Sequence, residues 1–335
     1  MHLVVANAET TTVDGVKIIG VKVPSSRIAR MLSGAGKVYR AALAVNADIY
    51  HFHDPELLRF ARRLKRAGKR VVYDSHEDLP RQIAHKHYIP SWLKPLAARC
   101  AEFLENRWVR NCDAIVTATA FIRDRFSRVH PRAVDVCNYP SLNELPAPDF
   151  NAPRERAACY IGSITAVRGI REKIRMMDGA SFRLLLGGPF APPELRTEMQ
   201  AQPGWNNVEY AGPLSRGQVV SMLRRSAVGL VTMHNSPNYA EALPVKMFEY
   251  MAAGIPVVTN GIPLWKKIAE ENHCGVAVDI EDTASFRAAV EALLNDPARS
   301  MELGKNGRRA VEEKFNWSVE ERKLIALYRE LAGHD

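Results

Sequence analysis

The sequence predicts an α/β protein built from two doubly wound parallel-sheet domains, and three observations carry that prediction. Runs rich in Val and Ile alternate with helical patterns along the chain, the signature of parallel strands covered by helices. The alternation halts once, at Asn138-Tyr-Pro-Ser-Leu-Asn-Glu-Leu-Pro-Ala-Pro-Asp-Phe-Asn-Ala-Pro153, where four prolines and little periodicity mark a linker. It then restarts, and 335 residues with 47% hydrophobic content are enough to bury two cores.

Taken in order, the first domain (residues 1–140) predicts strands near His2 to Ala6, Val16 to Val23, Ile49 to His53, Val71 to Asp74, Ala114 to Thr117 and Val134 to Cys137. Helices are predicted near Arg27 to Val45, Glu56 to Ala67 and Trp92 to Asn111. After a linker over 141–153, the second domain (154–315) predicts strands near Ala158 to Gly162, Arg183 to Leu186, Val208 to Ala211, Gly229 to Thr232, Pro256 to Thr259 and Val276 to Val278. Three helices follow, the last over Ser318 to Leu331. Two such sheets joined by a short linker make a cleft, and ligands of doubly wound folds sit at the carboxyl ends of the strands.

Composition narrows the functional classes. Lysine and arginine number 46 against 37 acids, a net charge of +9, and Arg62, Arg63, Lys65, Arg66, Lys69 and Arg70 crowd one helix and its end. Such a face is most often solvated; it also suits anionic lipid headgroups or anionic substrates. No nucleic-acid partner is expected, because no aromatic-interleaved basic motif is present. Cys100, Cys112, Cys137, Cys159 and Cys274 are scattered without a short paired spacing, so they read as buried thiols rather than a disulfide framework or a zinc site. The first residues lack the charged lead of a signal peptide, and no apolar run approaches the ~20 residues of a membrane span. The expectation is a cytoplasmic protein.

The most specific stretch is Glu241-Ala-Leu-Pro-Val-Lys-Met-Phe-Glu249-Tyr-Met-Ala-Ala-Gly254-Ile-Pro256. Pro244 suits the first helical position, Gly254 the helix close, and Ile255 to Thr259 a buried strand. A helix N-terminus offers free N–H groups and a positive dipole end, so amides around Leu243 and Val245 can receive a diphosphate, with Lys246 adding charge. Glu249 lies about five residues in, roughly 7.5 Å along the axis. Its carboxylate can there accept hydrogen bonds from ribose hydroxyls, with Glu241 beyond the phosphates beside a sugar. Alternatively, both acids merely complement the helix dipole in solvent, and the segment alone leaves the two readings open.

Other motifs are weaker singly. In Tyr160-Ile-Gly162-Ser163-Ile-Thr-Ala-Val-Arg168-Gly169, Gly162 permits close approach of the backbone and Arg168 is placed to reach a phosphate. Leu184-Leu-Leu-Gly187-Gly188-Pro189 and Tyr210-Ala-Gly212-Pro-Leu214 are further strand-end turns. His51-Phe-His53-Asp54-Pro55 and Tyr73-Asp74-Ser-His76-Glu77-Asp78 also end strands. His51 and His53 share a strand face, which suits a metal-dependent hydrolase as well. No further histidine pairs with a carboxylate at a familiar ligand spacing, so no metal is expected, and His51 reads as a hydrogen-bonded strand-end residue. Finally, Trp92, Leu93, Leu96, Cys100, Phe103, Leu104 and Trp108 form an apolar stripe with Lys94, Arg99, Arg107 and Arg110 off it. A core-facing helix is the preferred reading over one that docks on a membrane surface.

These residues together resemble the retaining glycosyltransferases of family 4, which have the GT-B fold of two facing Rossmann-like domains. The resemblance runs from about His2 to the end, including Asn316-Trp317 before a last helix (316–335) that in this family crosses back onto the first domain. It implies that Glu241 contacts the donor sugar and Glu249 the ribose. Arg168 matches the basic residue on the diphosphate, Lys246 lies at the phosphate-binding helix, and Leu214 matches the turn whose backbone meets the nucleobase. His76 matches the first-domain histidine near the reacting sugar, and Asp54 an acidic position on the acceptor side. Two positions depart from the pattern: Ser163 stands where many members carry a second basic residue, and the chain begins at what looks like the family's second strand, without the usual first strand, glycine-containing loop and helix.

The resemblance implies hexosyl transfer from a nucleoside diphosphate sugar of UDP or GDP type to an acceptor hydroxyl, with retention and without a metal or other cofactor. It would serve surface polysaccharide or glycolipid assembly. The basic first domain suits a lipid-linked saccharide acceptor and peripheral contact with the anionic inner membrane face. The rival readings are a sugar-nucleotide epimerase of GT-B fold and, behind it, the metal-dependent hydrolase.

Overall fold

The structure, a computed structural model, describes residues 1–26, 33–84, 89–235 and 240–333. The chain divides into two compact units, Met1–Cys137 with Arg322–Asp335, and Asn138–Glu321.

The first unit opens with β1 (His2–Ala6), then β2 (Thr11–Val13) and β3 (Val16–Val21); β1 runs parallel to β3, and β2 antiparallel to it. Of the hairpin, β3 was predicted and β2 was not. Asp14-Gly15, both at positive φ (48° and 78°), form the two-residue turn that matches strand twist, but a three-residue strand is too short for alternation to register. Helix α1 (Ala35–Val45) follows; the expected helix start at Arg27 lies outside the described residues. A second sheet is wholly parallel, in the order β4 (Ile49–Phe52), β5 (Arg70–Ser75), β6 (Ala114–Thr117), β7 (Ala133–Asp135). The strands of this unit therefore form two sheets rather than the single one expected, because apolar patterning fixes the faces of a strand but not its neighbours.

Between β4 and β5 the expected helix splits into a 3-10 turn, Pro55–Phe60, and α2 (Ala61–Arg66). Leu57, Leu58, Ala61 and Leu64 still point inward together. Two short helices that the periodicity did not register, α3 (Leu79–Ala84) and α5 (Ala120–Ser127), flank α4 (Lys94–Val109). The preferred core-facing orientation of the α4 stripe is corrected: Trp92 is 76% exposed, Phe103 66% and Leu96 61%. The inward face of α4 carries instead an acid, Glu105, which is 1% exposed. Glu105 accepts from the Tyr73 hydroxyl at 3.0 Å and from Arg125 Nη2 at 2.8 Å, so a buried charge is paired and hydrogen-bonded. Periodicity assigns such a residue to the polar side, and thereby turns the helix the wrong way.

In the second unit six parallel strands run in the order β10 (Val208–Gly212), β9 (Arg183–Gly187), β8 (Ala157–Ile161), β11 (Val228–Val231), β12 (Val257–Asn260), β13 (Gly275–Val278). Alternate side chains of β8 feed two apolar layers, Ala157 and Cys159 into one, Ala158 and Tyr160 into the other. The chain winds away from β8 on one side and from β11 on the other. The order thus reverses between them, where doubly wound folds hold ligands.

The covering helices are α6 (Ile170–Met176), α7 (Leu195–Gln200), α8 (Arg216–Arg225), α9 (Val245–Ala252), α10 (Pro263–Glu271), α11 (Thr283–Asn295) and α12 (Pro297–Glu313). Helix α9 lies close on β11 because Gly229 has no side chain; a Cβ there would stand 2.4 Å from the Tyr250 ring. The Pro-rich stretch expected as a free linker belongs to this unit. Leu145 is 2% exposed, and its carbonyl accepts from Arg308 Nη1 at 3.0 Å. The last helix, α13 (Trp317–Ala332), starts in the second unit and ends in the first. Of the five cysteines, Cys112, Cys137, Cys159 and Cys274 are buried thiols, whereas Cys100 is exposed on α4.

Candidate functional site

At the switch point, β8 is followed by Gly162, whose φ of +130° disfavours any side chain. A Cβ added there would lie 3.4 Å from Lys246 Nζ and 3.9 Å from Arg168 Nη1. Glycine thus leaves open the space on which two cations converge. Arg168 closes a 3-10 turn (Ala166–Arg168) and donates from Nη1 to the Ser163 carbonyl at 3.1 Å. The position where a second basic residue was sought thus anchors the first one through its backbone.

Helix α9 delivers Lys246. Its N-cap is Pro244, which supplies no side-chain cap, so the amides of the first turn point out beside Leu243 and Val245. The turn before it is fixed where Trp265 Nε1 donates to the Ala242 carbonyl at 2.7 Å. Lys246 Nζ donates to the Tyr160 hydroxyl at 3.1 Å and lies 4.5 Å from that ring's centre. Burial, and then the charge on Arg168, bring its pKa down to about 7. The far end of α9's first turns is tied to β8 as well, since Ile161 N–H donates to the Tyr250 hydroxyl at 3.0 Å.

A third cation was not singled out in the sequence. Lys173 on α6 is 1% exposed, lies 4.1 Å from the Tyr160 ring centre, and donates to the Arg168 carbonyl at 2.6 Å and to Thr232 Oγ1. Burial, then Lys246, hold its pKa well below the ordinary lysine value. Its only sequence signal is the offset of five from Arg168, which on an amphipathic helix reads as a surface charge. Arg168, Lys173 and Lys246 thus gather around Tyr160, and their mutual repulsion adds to burial in lowering the pKa of both lysines.

Glu249, with a side chain 16% exposed, meets Arg216 Nη1 at 2.5 Å, while Arg216 Nε reaches Glu144 Oε2 at 2.7 Å. Arg216 opens α8 within the capping box of Ser215 and Gln218. Leu214 immediately precedes that box and packs into the space over Gly187, where a Cβ would stand 2.4 Å from its Cδ1. The carboxylate expected at the ribose and the turn expected at the base are therefore linked by an arginine that sequence reading missed. Glu241, half-buried, sits in the turn ahead of α9.

The first unit gathers a separate group. Strands β4 and β5 pair with Phe52 opposite Tyr73, which carries His53 alongside Asp74. Asp74 Oδ2 stands 3.2 Å from His51 Nε2, 3.4 Å from His53 Nδ1 and 3.6 Å from His76 Nε2. His51 Nδ1 is hydrogen-bonded to the Tyr328 hydroxyl on α13. Partial burial lowers the pKa of His53, against the opposing pull of Asp74. Asp54 is exposed, and its backbone starts the 3-10 turn, with Leu57 N–H donating to its carbonyl at 3.0 Å. Of the expected first-unit pair, His76 joins the cluster and Asp54 stands at its rim in sequence.

The family model described as glycosyl transferases group 1 matches residues 148–310, and that described as glycosyl transferase 4-like domain matches residues 4–140. Glycogen synthase of Mycobacterium tuberculosis is 21% identical over 239 residues, covering 68% of this chain and 56% of its own length. The chain thus spans little more than half of that relative. Sucrose-phosphate synthase from Thermosynechococcus elongatus superposes with a TM-score of 0.74 at 17% identity, over 96% of this chain and 85% of its own. The Anabaena protein HepE, solved with UDP-glucose, gives 0.69 at 13% identity over 94% and 86%.

Proposed function

Since the chain belongs to the family-4 glycosyltransferases and has the GT-B fold, we propose that it moves a hexose from a nucleoside diphosphate sugar to an acceptor hydroxyl with retention at the anomeric carbon. The observation that carries this reading is the convergence of Arg168 and Lys246 on Gly162, at the carboxyl end of β8 and beside the N-terminus of α9, with Lys173 behind them on the Tyr160 ring. Like charges collected at a ligand-binding switch point call for an anion, and a diphosphate supplies one.

In this reading Arg168, Lys246 and the amides near Leu243 and Val245 take the diphosphate and stabilise it as a leaving group. Lys173 acts one step behind, holding the Arg168 carbonyl. Glu249 accepts from the ribose hydroxyls, exchanging its contact with Arg216 for the ligand, and the backbone near Leu214 meets the base. Glu241 attends the donor sugar, with His76 and Asp54 on the acceptor side. The transition state resembles an oxocarbenium ion leaving a diphosphate. Attack from the face of the departing phosphate requires no covalent nucleophile, and the cations fill the role that a metal has in other transferases. The UDP-glucose bound to HepE supports a uridine donor.

Among the described residues no helix is long and apolar enough to cross a membrane. The exposed Trp92, Leu96 and Phe103, interleaved with Arg99 and Arg107, support a peripheral seat on the anionic inner membrane face and a lipid-linked saccharide acceptor.

The test is calorimetric titration with UDP- and GDP-sugars in EDTA, followed by product analysis. Glu249→Ala should weaken donor binding about tenfold or more, the loss of hydrogen bonds to a charged acceptor, whereas Glu241→Ala should lower turnover with donor affinity kept. Unchanged donor affinity in Glu249→Ala refutes the ribose assignment, and a new sugar nucleotide in place of released nucleoside diphosphate would indicate epimerisation instead.

A further inference from the structure

We propose that His234 and Glu172 form a proton-linked pair that holds the turn carrying Arg168, which makes His234 a positioning residue for the grip on the diphosphate. Both lie in the second unit. The pair stands on its own geometry, and what it serves rests on the transfer reading.

Glu172 lies in the first turn of α6 and is 5% exposed. One of its oxygens, Oε1, accepts from Arg175 Nη2 at 2.5 Å. The other, Oε2, is buried and among the described residues has no hydrogen bond, a costly state for a carboxylate. His234 Nε2 stands 3.3 Å from that oxygen, and its Nδ1 stands 3.7 Å from Glu281 Oε1. A neutral imidazole has one N–H and can serve only one of these acids, whereas the imidazolium serves both. Taking up a proton thus converts the contact with Glu172 into a charge-assisted hydrogen bond. Histidine is the side chain that makes this change between about pH 5 and 8. The charged groups on the elements packed about His234 are Glu172, Lys173 and Arg175 on α6, Arg168 on the 3-10 turn, and the exposed Glu281 ahead of α11.

This pair adjoins the phosphate arm. His234 N–H donates to the Val167 carbonyl at 2.7 Å, and Thr232 Oγ1 donates to the Arg168 carbonyl at 2.9 Å. The segment after β11 is thereby stitched to the turn that presents Arg168. Gly169, at φ +73°, lets the neighbours close in: a Cβ there would stand 3.2 Å from Thr232 Oγ1 and 3.6 Å from Glu172 Oε2. The His234 side chain ties the same segment to α6. Without that tie Glu172 Oε2 has no partner, the turn loosens, and Arg168 loses its aim. The loss falls on donor binding rather than on the chemical step.

The experiment measures UDP-glucose binding and UDP release by the full chain from about pH 5.5 to about pH 7, where histidine titrates. UDP-glucose is the probe because its diphosphate, esterified at both ends, has no second ionisation there. Wild-type affinity should fall as pH rises. His234→Gln keeps a neutral N–H donor; it should bind within about twofold of wild type at about pH 7 but with a shallower slope, which separates the imidazole from Lys246. His234→Leu should raise the KM for donor about tenfold and leave kcat within about twofold. A double-mutant cycle on the thermal midpoint reads the pair without any ligand: His234→Leu and Glu172→Gln should be non-additive at about pH 6 and nearly additive at about pH 8. Additivity at both pH values, or a wild-type donor KM in His234→Leu, overturns the proposal. A chain that shows the coupling yet binds no nucleotide sugar refutes the transfer reading instead and leaves the pair standing.

Discussion

Lys246 is a lysine whose charge depends on its company. In the free protein its pKa is brought down to about 7 by burial and by Arg168. A diphosphate arriving beside it adds opposite charge and favours the ammonium. Above about pH 7 the free amine is largely neutral while the bound one is charged, so binding takes up a proton and weakens as pH rises. We expect donor affinity to fall between about pH 7 and about pH 9, with proton uptake visible as a dependence of calorimetric heat on the buffer. In Lys246→Met that dependence should vanish, and equal wild-type affinity at both pH values would count against the assignment. The sign for stability is separate: the unfolded lysine, at its ordinary 10.5, binds more protons than the folded one, so the contribution of Lys246 to the stability of the free protein rises with pH from about 7 to about 10.5. Lys173, buried more deeply, behaves in the same direction.

Helix α4 shows how far an element can be read from its sequence. Its existence and length followed from apolar spacing, but its orientation did not, because the acid at Glu105 faces inward to Tyr73 and Arg125 while Trp92, Leu96 and Phe103 face out. Periodicity finds the stripe and cannot tell what covers it. Replacing Trp92 and Phe103 together by Ser should abolish co-sedimentation with anionic liposomes at low salt while leaving the thermal midpoint nearly unchanged, since exposed side chains contribute little to the core. Retained sedimentation in that double variant would exclude α4 as the seat. The same limit applies at the site. Gly162, Arg168 and Lys246 were legible because each sits at a strand end or helix start, where sequence signals are local, and Glu249 because it lies a short fixed distance into the same helix. Arg216, 33 residues from the Glu249 it contacts, and Asp74, brought to His51 across a strand pair, depend on which elements become neighbours. That information resides in sheet order, and for the first unit the sequence pattern did not reveal that its strands form two sheets.

At the scale of the molecule, the second unit is continuous in sequence and carries both of its apolar layers within Asn138–Glu321. It holds all the residues proposed to grip the diphosphate and the ribose. A fragment spanning 138–321 should therefore fold cooperatively and bind UDP with an affinity within about tenfold of the full chain's; a fragment that is unfolded by circular dichroism, or folded without affinity for the nucleotide, would contradict that autonomy. The first unit is different, for its strands lie near the beginning of the chain while Tyr328, the partner of His51, lies near the end. A ribosome releases the chain in one direction only. The contact of Tyr328 with His51 at the end of β4 can thus form only after the second unit has been synthesised. Completion of the first unit therefore requires a helix, α13, that is completed only after the whole of the second unit.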